Sequence, residues 1–257
     1  MKIGIIGVGV VGQAIKSNFE AKGVLVICYD KNSESLYSYN DLLTTESIFL
    51  CVPTPTVDNH CDISIIKECI DRLNNEKYTG LIIIKSTVII GTTQQLINQY
   101  PELRICFIPE FLRQDHAAED FINNQELIVG TNSLDDYALV CQIHQYFITS
   151  SFKITPTEAE LTKYFSNTFN ALRVVFANAF YSVCENVGAD YQAVLKSAMA
   201  RPSNAVSCYL QCNNDLKGFA GACLPKDLQA FSTFVEQAGL PIKLFETIIN
   251  DNTYYKK

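Results

Sequence analysis

Residues 2 to 30, KIGIIGVGVVGQAIKSNFEAKGVLVICYD, decide how this chain is read. An apolar run from Lys2 to Ile6 enters the glycine turn Gly7-Val8-Gly9-Val10-Val11-Gly12. A helical pattern follows to about Ala21, and a second apolar run, Val24 to Tyr29, ends at Asp30. Strand, glycine turn, helix, strand and acid, with the acid 18 residues past the third glycine, is the order of a dinucleotide-binding βαβ unit. Each glycine has its own task there: Gly7 permits the tight turn, Gly9 lets backbone approach a pyrophosphate, and Gly12 lets helix and strand pack closely. The helix start at Val10 and Val11 supplies amides and a positive dipole end. Asp30 is expected to accept hydrogen bonds from ribose hydroxyls and to repel a 2′-phosphate, which favours NAD over NADP. The alternative is a glycine-bearing turn in an α/β protein that binds no nucleotide.

Further strand-like runs recur at Ser47 to Val52, Gly80 to Lys85, Arg104 to Ile108 and Glu126 to Gly130, with helical stretches between them. That alternation predicts a doubly wound parallel sheet covered on both faces, with ligands beyond the carboxyl ends of its strands. Three unusual sequences fall at those ends: Pro53-Thr54-Pro55-Thr56, Lys85-Ser86-Thr87, and Pro109-Glu110-Phe111-Leu112-Arg113. Proline and threonine suit plain turns too, but three such segments at ligand-facing ends point to a site.

The 257 residues are 48% apolar and 18% charged, an ordinary globular composition with room for one large or two modest domains. A net charge of −7 with no run of Lys or Arg excludes a basic footprint for nucleic acid or an anionic membrane. The N-terminus lacks the parts of a signal peptide, and no apolar run approaches the ~20 residues that span a bilayer. A soluble, cytoplasmic protein is expected. Ten cysteines are scattered without a CxxC pair, so most are read as reduced, buried small side chains. The spacing of Cys51, His60, Cys61 and Cys69 fits no zinc pattern.

The second half opens on Thr155-Pro156-Thr157-Glu158, a capping box with proline at the first helical position. The helix it starts runs without Gly or Pro until Gly188, about 32 residues or ~48 Å. Leu161, Phe165, Phe169, Leu172, Val175, Phe176, Phe180 and Val183 cover more than one stripe, so burial on several sides is expected, with this helix linking two domains and packing against its mate in a homodimer. Lys163 and Asn167 lie at i and i+4, one turn apart on one face. Further helices are read at Tyr191 to Ala200, Lys226 to Ala238 and about Pro241 to Asn252. An irregular section from Arg201 to Lys217 leads to the loop GFAGACLPKD, Gly218 to Asp227, which presents Cys223 as a candidate nucleophile. The expected division is an NAD-binding domain over 1–154, then the central helix with a small all-helical catalytic and dimerisation domain over 155–257.

With GVGVVG, CVPTPT, KSTV, PEFLR, AELTKYFSNTFNALRVVFANAF and GFAGACLPKD in that order over nearly the whole chain, the sequence resembles the UDP-glucose/GDP-mannose dehydrogenase family. PEFL is similar to the branch acting on UDP-glucose or GDP-mannose. The resemblance implies NAD-dependent oxidation of the primary alcohol of UDP-glucose to the carboxylate, in two hydride transfers without release of the aldehyde. By the same resemblance Cys223 forms the thiohemiacetal and thioester, while Lys163 and Asn167 stabilise the oxyanion. Asp227 holds water or helps deprotonate, Thr87 positions the hydrolytic water, and Glu110 does acid/base work in thioester hydrolysis. Lys31, Thr54, Thr56 and Thr87 join the glycine loop and Asp30 in holding the cofactor. Phe111, Leu112, Arg201, Phe219, Gly221 and Lys226 join Glu110, Lys163 and Asn167 around the sugar nucleotide. No metal is implied.

Three departures from the family pattern stand out. Gln114 occupies the place of a second glutamate, Ala220 that of a glycine, and the chain stops where family members pass into a third, UDP-binding domain. These departures leave room for a catalytically impaired NAD-binding paralogue with a regulatory or assembly role. A 3-hydroxyacid-type dehydrogenase also joins such a domain to a long helix with a Lys-x-x-x-Asn pair, but has no need of Cys223 or PEFLR.

Overall fold

The computed structural model describes residues 1–31, 37–57, 60–201, 212–213, 217–221 and 223–255. In chain order the first elements are β1 (Lys2–Ile6), α1 (Val10–Ala21), β2 (Leu25–Tyr29), α2 (Tyr39–Leu42) and β3 (Ser47–Leu50). Two short strands, β4 (Thr56–Val57) and β5 (His60–Cys61), lie outside the main sheet. Then come α3 (Ser64–Asn75), β6 (Leu81–Ile84), α4 (Thr92–Gln99), β7 (Arg104–Phe107), α5 (Ala117–Asn123), β8 (Glu126–Gly130), α6 (Leu134–His144) and β9 (Ser150–Ile154). The remainder is helical: α7 (Pro156–Val187), α8 (Tyr191–Met199), α9 (Leu224–Gln237) and α10 (Leu244–Tyr255). The chain forms two compact units, one of residues 1–57 and 61–163, the other made chiefly of residues from 164 onward.

The first unit is a seven-stranded sheet of order β2-β1-β3-β6-β7-β8-β9. Its strands alternate cleanly between two cores, as a period of two requires. Ile82 and Ile84 face one core with Leu42, Ile66, Ile70 and Leu96, while Leu81 and Ile83 face the other with Ile15, Phe19, Val140 and Ile143. Helices therefore cover both faces: α2, α3 and α4 on one, α1 and α6 on the other. This is the doubly wound arrangement that the βαβ alternation predicts. Two details differ. Strands β2, β1, β3, β6 and β7 run parallel, but β8 meets β7 antiparallel at Phe107 and Gly130, and β9 then follows β8 in parallel. The edge strand β9 has no apolar run to announce it; Ser150, Phe152 and Lys153 are exposed on it.

The capping box of α7 is present: Thr155 N–H and hydroxyl donate to Glu158 Oε2 at 2.7 and 2.8 Å, and the Glu158 amide donates to Thr155 Oγ1 at 3.3 Å. These bonds hold the exposed Glu158 carboxyl below its usual range. The helix runs 32 residues, but it is not buried on several sides within this chain. One face, through Lys163, Tyr164, Asn167, Ala171, Val174 and Asn178, is buried. The opposite face leaves Phe165 74% exposed, and Phe169, Phe176, Phe180, Val183 and Val187 exposed with it, because no element among the described residues is laid over them.

In the second unit Ala171, Val174, Val175, Phe219, Leu228 and Ile248 make one small core, and Ala177, Cys184, Tyr191, Leu195 and Cys212 a second. Among the described residues no helix is long and apolar enough to cross a membrane.

Candidate active site

In a 2-1-3 strand order the chain reverses its direction of winding between β1 and β3, and the crevice opens at the carboxyl ends there. The glycine loop lies at that point. Gly7 has φ +92°, and a Cβ on it would stand 2.6 Å from the Cys51 carbonyl oxygen at the end of β3. A Cβ on Gly12 would stand 2.1 Å from the Gly7 carbonyl, so α1 lies directly on the turn. Gly9 differs: a Cβ there would meet nothing within 4 Å, which leaves its backbone open to a ligand. Gly9 caps α1 without a side-chain hydrogen bond, and no acid lies in the first turn, so the amide end of this helix is fit for an anion. Asp30 accepts the Val8 N–H at 2.8 Å, which ties the loop to the end of β2. Lys31, beside it, reaches the exposed Glu68 at only 4.0 Å.

The threonine loop after β3 is fastened to the loop after β6. The buried Thr54 hydroxyl donates to the Thr87 carbonyl at 2.7 Å, and Ser86 donates to the Val52 carbonyl at 2.7 Å. Thr56 lies half-buried in the same loop.

The turn after β7 holds a charged network. Glu110 Oε1 accepts the amides of Phe111 and Leu112 at 2.8 and 3.0 Å, and its Oε2 lies 2.8 Å from the ammonium of Lys85, itself 7% exposed. The Glu110 carbonyl receives the ammonium of Lys163, which also lies 5.6 Å from the centre of the Phe111 ring. Phe111 and Leu112 line a cavity of about 60 Å³ with Lys85, Ile108, Phe121 and His144, too small for a sugar. His144 packs edge-on against Phe19 and Phe49, and burial pushes its pKa down to about 4, so it stays neutral. Burial likewise pushes the Cys51 thiol up to about 12. Among the described residues no group of three or more His, Cys, Asp or Glu could hold a metal ion.

In the second unit Cys223 is exposed and caps the N-terminus of α9. One turn on, the Asp227 amide donates to the Cys223 carbonyl at 2.9 Å, and the Asp227 side chain is buried, 1% exposed. Asn167 Nδ2 donates to Asp227 Oδ2, and Lys226 Nζ lies 3.1 Å from Oδ1. The loop before Cys223 is held by its backbone. Asn252 of α10 accepts the Phe219 N–H at 2.7 Å and donates to the Phe219 carbonyl at 3.0 Å, while Asn178 of α7 accepts the Gly218 N–H at 3.0 Å. Among the described residues of the loop, Gly218 and Gly221 are left-handed, with φ +67° and +83°. Ala220 is not among the residues at positive φ, so its methyl group imposes no backbone strain.

Within the first unit the structure thus joins Gly7 and Gly12, Thr54 and Thr87, and Glu110 and Lys163. Within the second it joins Asn167, Lys226 and Asp227 on the turn that Cys223 begins. Arg201 is exposed at the end of the described stretch, and Val10 and Val11 stand in the first turn of α1. The side chain of Gln114, Ala222 and most of the irregular section between Arg201 and Lys217 lie outside the described residues.

Three side chains that hold these groups have no role in the sequence reading, Asn178, Asn252 and Glu160, and a fourth, Lys85, enters it only as part of the strand end Lys85-Ser86-Thr87. Glu160 is fully buried on α7 and accepts the amides of Gly91 and Thr93 at 2.5 and 2.7 Å, capping α4. Burial raises its pKa. Its place three residues before Lys163, on the same helix face, was a signal available in the sequence.

The NAD-binding domain profile of the UDP-glucose/GDP-mannose dehydrogenase family matches residues 38–148, and the central-domain profile matches residues 157–254. The UDP-glucose 6-dehydrogenase of Rickettsia bellii is 30% identical over 224 residues, 83% of this chain and 51% of that protein. A UDP-glucose dehydrogenase structure from Pyrobaculum islandicum shares the fold with a TM-score of 0.88 at 23% identity, over 98% of this chain and 68% of that one. A 3-hydroxyisobutyrate dehydrogenase from Mycobacterium tuberculosis shares it with a TM-score of 0.80 at 15% identity, over 97% and 91%. The chain spans about half the length of the Rickettsia relative. Two profiles of one family, which together take in most of the chain in the expected order, settle the matter: it belongs to the UDP-glucose/GDP-mannose dehydrogenase family and carries that family's NAD-binding and central domains.

Proposed function

We propose that this protein oxidises the primary alcohol of UDP-glucose to the carboxylate of UDP-glucuronate, with Cys223 as the covalent anchor. The observation that carries the reading is an exposed thiol at a helix N-terminus, one turn from a buried aspartate already engaged by Asn167 and Lys226.

The glycine loop fits NAD: Gly9 leaves open backbone, the start of α1 offers free amides, and Asp30 stands at the end of β2. Lys31, Thr54, Thr56 and Thr87 complete its surroundings. When bound, NAD supplies the hydride acceptor for each of two oxidations. Removal of a hydride and a proton from the alcohol gives the aldehyde, and Cys223 adds through sulfur to its carbonyl carbon. Loss of a second hydride and proton leaves a thioester, and water cleaves the carbon–sulfur bond to give the carboxylate and the free thiol. Each tetrahedral stage carries charge on oxygen, for which the Lys163 ammonium and the Asn167 amide are the donors. Asp227 holds Asn167 in place and keeps an acceptor beside the reacting thiol. Thr87 positions the hydrolytic water, and Glu110, Phe111, Leu112, Arg201, Phe219, Gly221 and Lys226 surround the sugar nucleotide.

Because the chemistry needs a reduced Cys223, a reducing compartment such as the cytoplasm suits it. The exposed apolar face of α7 is the surface through which we expect two copies to pair. The alternative is a 3-hydroxyacid dehydrogenase, with which the chain shares its fold. Stoichiometry separates the two. Purified protein is incubated with NAD and UDP-glucose, UDP-galactose or GDP-mannose, and NADH is counted against sugar consumed. Two NADH per UDP-glucose, and no carboxylate product from Cys223→Ser, are expected. One NADH per substrate, or full activity in Cys223→Ser, refutes the reading.

A further inference from the structure

Glycine stands at the N-cap of α4, where a side-chain oxygen would ordinarily meet the free amides of a helix start. Gly91 has φ +90° and no acid lies in the first turn, so the amides of Gly91 and Thr93 are taken instead by Glu160, far along the chain on α7. Glu160 and Thr93 are both fully buried. A carboxylate kept out of water is costly unless it is paired, and here its partners are backbone amides whose helix dipole favours a negative charge. A serine or aspartate in the turn itself would satisfy such amides without burying a charge. The bond from α7 does what a local cap cannot: it ties α4 to another element.

That tie reaches the site. The start of α7 rests on the end of β8, where a Cβ on Gly130 would stand 2.6 Å from the Ala159 Cβ, and Lys163, one turn beyond Glu160, meets the Glu110 carbonyl. Thr87 opens the segment that leads into α4. Its carbonyl accepts the Thr54 hydroxyl at 2.7 Å, which pins one end of the segment, and the Gly91 amide on Glu160 pins the other. We propose that Glu160 is a positioning residue: it ties the segment from Thr87 to Gly91 to the helix that carries Lys163, so that the water-positioning threonine and the oxyanion donor keep a fixed separation. The catalytic consequence rests on the reaction proposed above; the tie itself does not. Ala159 docks α7 on the sheet with or without the carboxylate, so loss of Glu160 should free the Thr87 segment and leave Lys163 in place. The loss should then fall on thioester hydrolysis and spare hydride transfer.

The test compares the parent with Glu160→Gln, in which one acceptor oxygen becomes a donor facing a donor. Amide hydrogen exchange read by mass spectrometry covers Gly91 to Leu96 and, as a control, the buried strand β6. Gly91 and Thr93 should exchange at least about tenfold faster, as loss of a charged hydrogen bond implies, with β6 unchanged. Unchanged exchange at these amides, or a rise only in step with β6, overturns the tie. With NAD and UDP-glucose, the first two NADH per site should form at the parent's rate, and turnover should then run about ten- to a hundredfold slower than the parent's, the penalty of a group displaced by about an ångström. The stalled protein should carry the acyl group on Cys223, seen as a gain in intact mass that hydroxylamine removes. A steady rate like the parent's, or hydride transfer slowed as much as turnover, overturns the positioning role.

If Glu160→Gln does not fold, Gly91→Ala decides. It strains the left-handed cap where a Cβ meets nothing within 4 Å and leaves the buried carboxylate in place. The same burst and stall supports the proposal, and a steady rate like the parent's overturns it. Parent protein that forms no NADH from any nucleotide sugar refutes the proposed reaction, and the exchange pattern then decides the tie by itself.

Discussion

Asn252→Ala removes the one side chain that satisfies both backbone groups of Phe219, four residues before Cys223. Phe219 is 5% exposed and belongs to the core with Ala171, Val174 and Leu228, so its N–H and carbonyl have little access to water. Leaving a buried backbone group unpaired costs about 1–3 kcal/mol. Two such groups, with some relief as water enters, give a loss of about 2–4 kcal/mol. With a urea slope of ~2 kcal/mol/M this moves the unfolding midpoint down by about 1–2 M. The assay is urea unfolding followed by circular dichroism, beside a calorimetric titration with NAD. NAD affinity should be unchanged, because the glycine loop and Asp30 lie in the other unit. Turnover should fall by ten- to a hundredfold, the penalty of a nucleophile displaced by about an ångström. A stability loss below ~0.5 kcal/mol would mean that the Phe219 backbone has other partners, and the account of how the loop is held would fail.

The two inner glycines should behave differently. Gly9→Ala, where a Cβ meets nothing and φ is −76°, should leave stability within ~0.5 kcal/mol yet weaken NAD more than about tenfold in calorimetry, because the methyl group occupies the ligand's space. Gly12→Ala, with its Cβ 2.1 Å from a carbonyl oxygen, should lose both stability and binding. His144 stays neutral in the folded protein until about pH 4, whereas the unfolded chain protonates it near 6.5. Stability should therefore fall as pH drops from about 6.5 to 4, by about 3 kcal/mol from this group, and His144→Phe should flatten that limb in urea titrations at each pH. Phe165→Glu with Phe180→Glu places charges on the exposed face of α7. Light scattering should find the variant monomeric and the parent dimeric; a monomeric parent refutes pairing through this face.

The parts legible in the sequence are those in which a residue's type answers a purely local demand. Gly7 and Gly12 are dictated by backbone approaching within about 3 Å, and Thr155 with Glu158 by unpaired amides at a helix start. The βαβ alternation follows from burial on both faces. β9 escaped because only Ile154 of this exposed edge strand packs on a core, too little to make an apolar pattern, and the reversal at β8 because strand direction is set by tertiary pairing. The bonds of Lys85, Asn178 and Asn252 escaped for a different reason. Their partners are carbonyls, amides and one carboxylate remote in sequence, and such bonds leave no period.

Ala220 shows the converse. As a sequence departure it puts a methyl group where the family pattern has glycine; in the structure, the positive φ angles fall on Gly218 and Gly221. The loop is shaped by those two glycines and by two buried asparagines that grip its backbone, so alanine at 220 is compatible with the fold of the loop. Any effect of that methyl group must then arise at the exposed surface it presents. Ala220→Gly should accordingly leave the unfolding midpoint near the parent's and alter only the Michaelis constant for the sugar nucleotide; a midpoint shift of more than ~0.5 M urea would return the effect to the backbone.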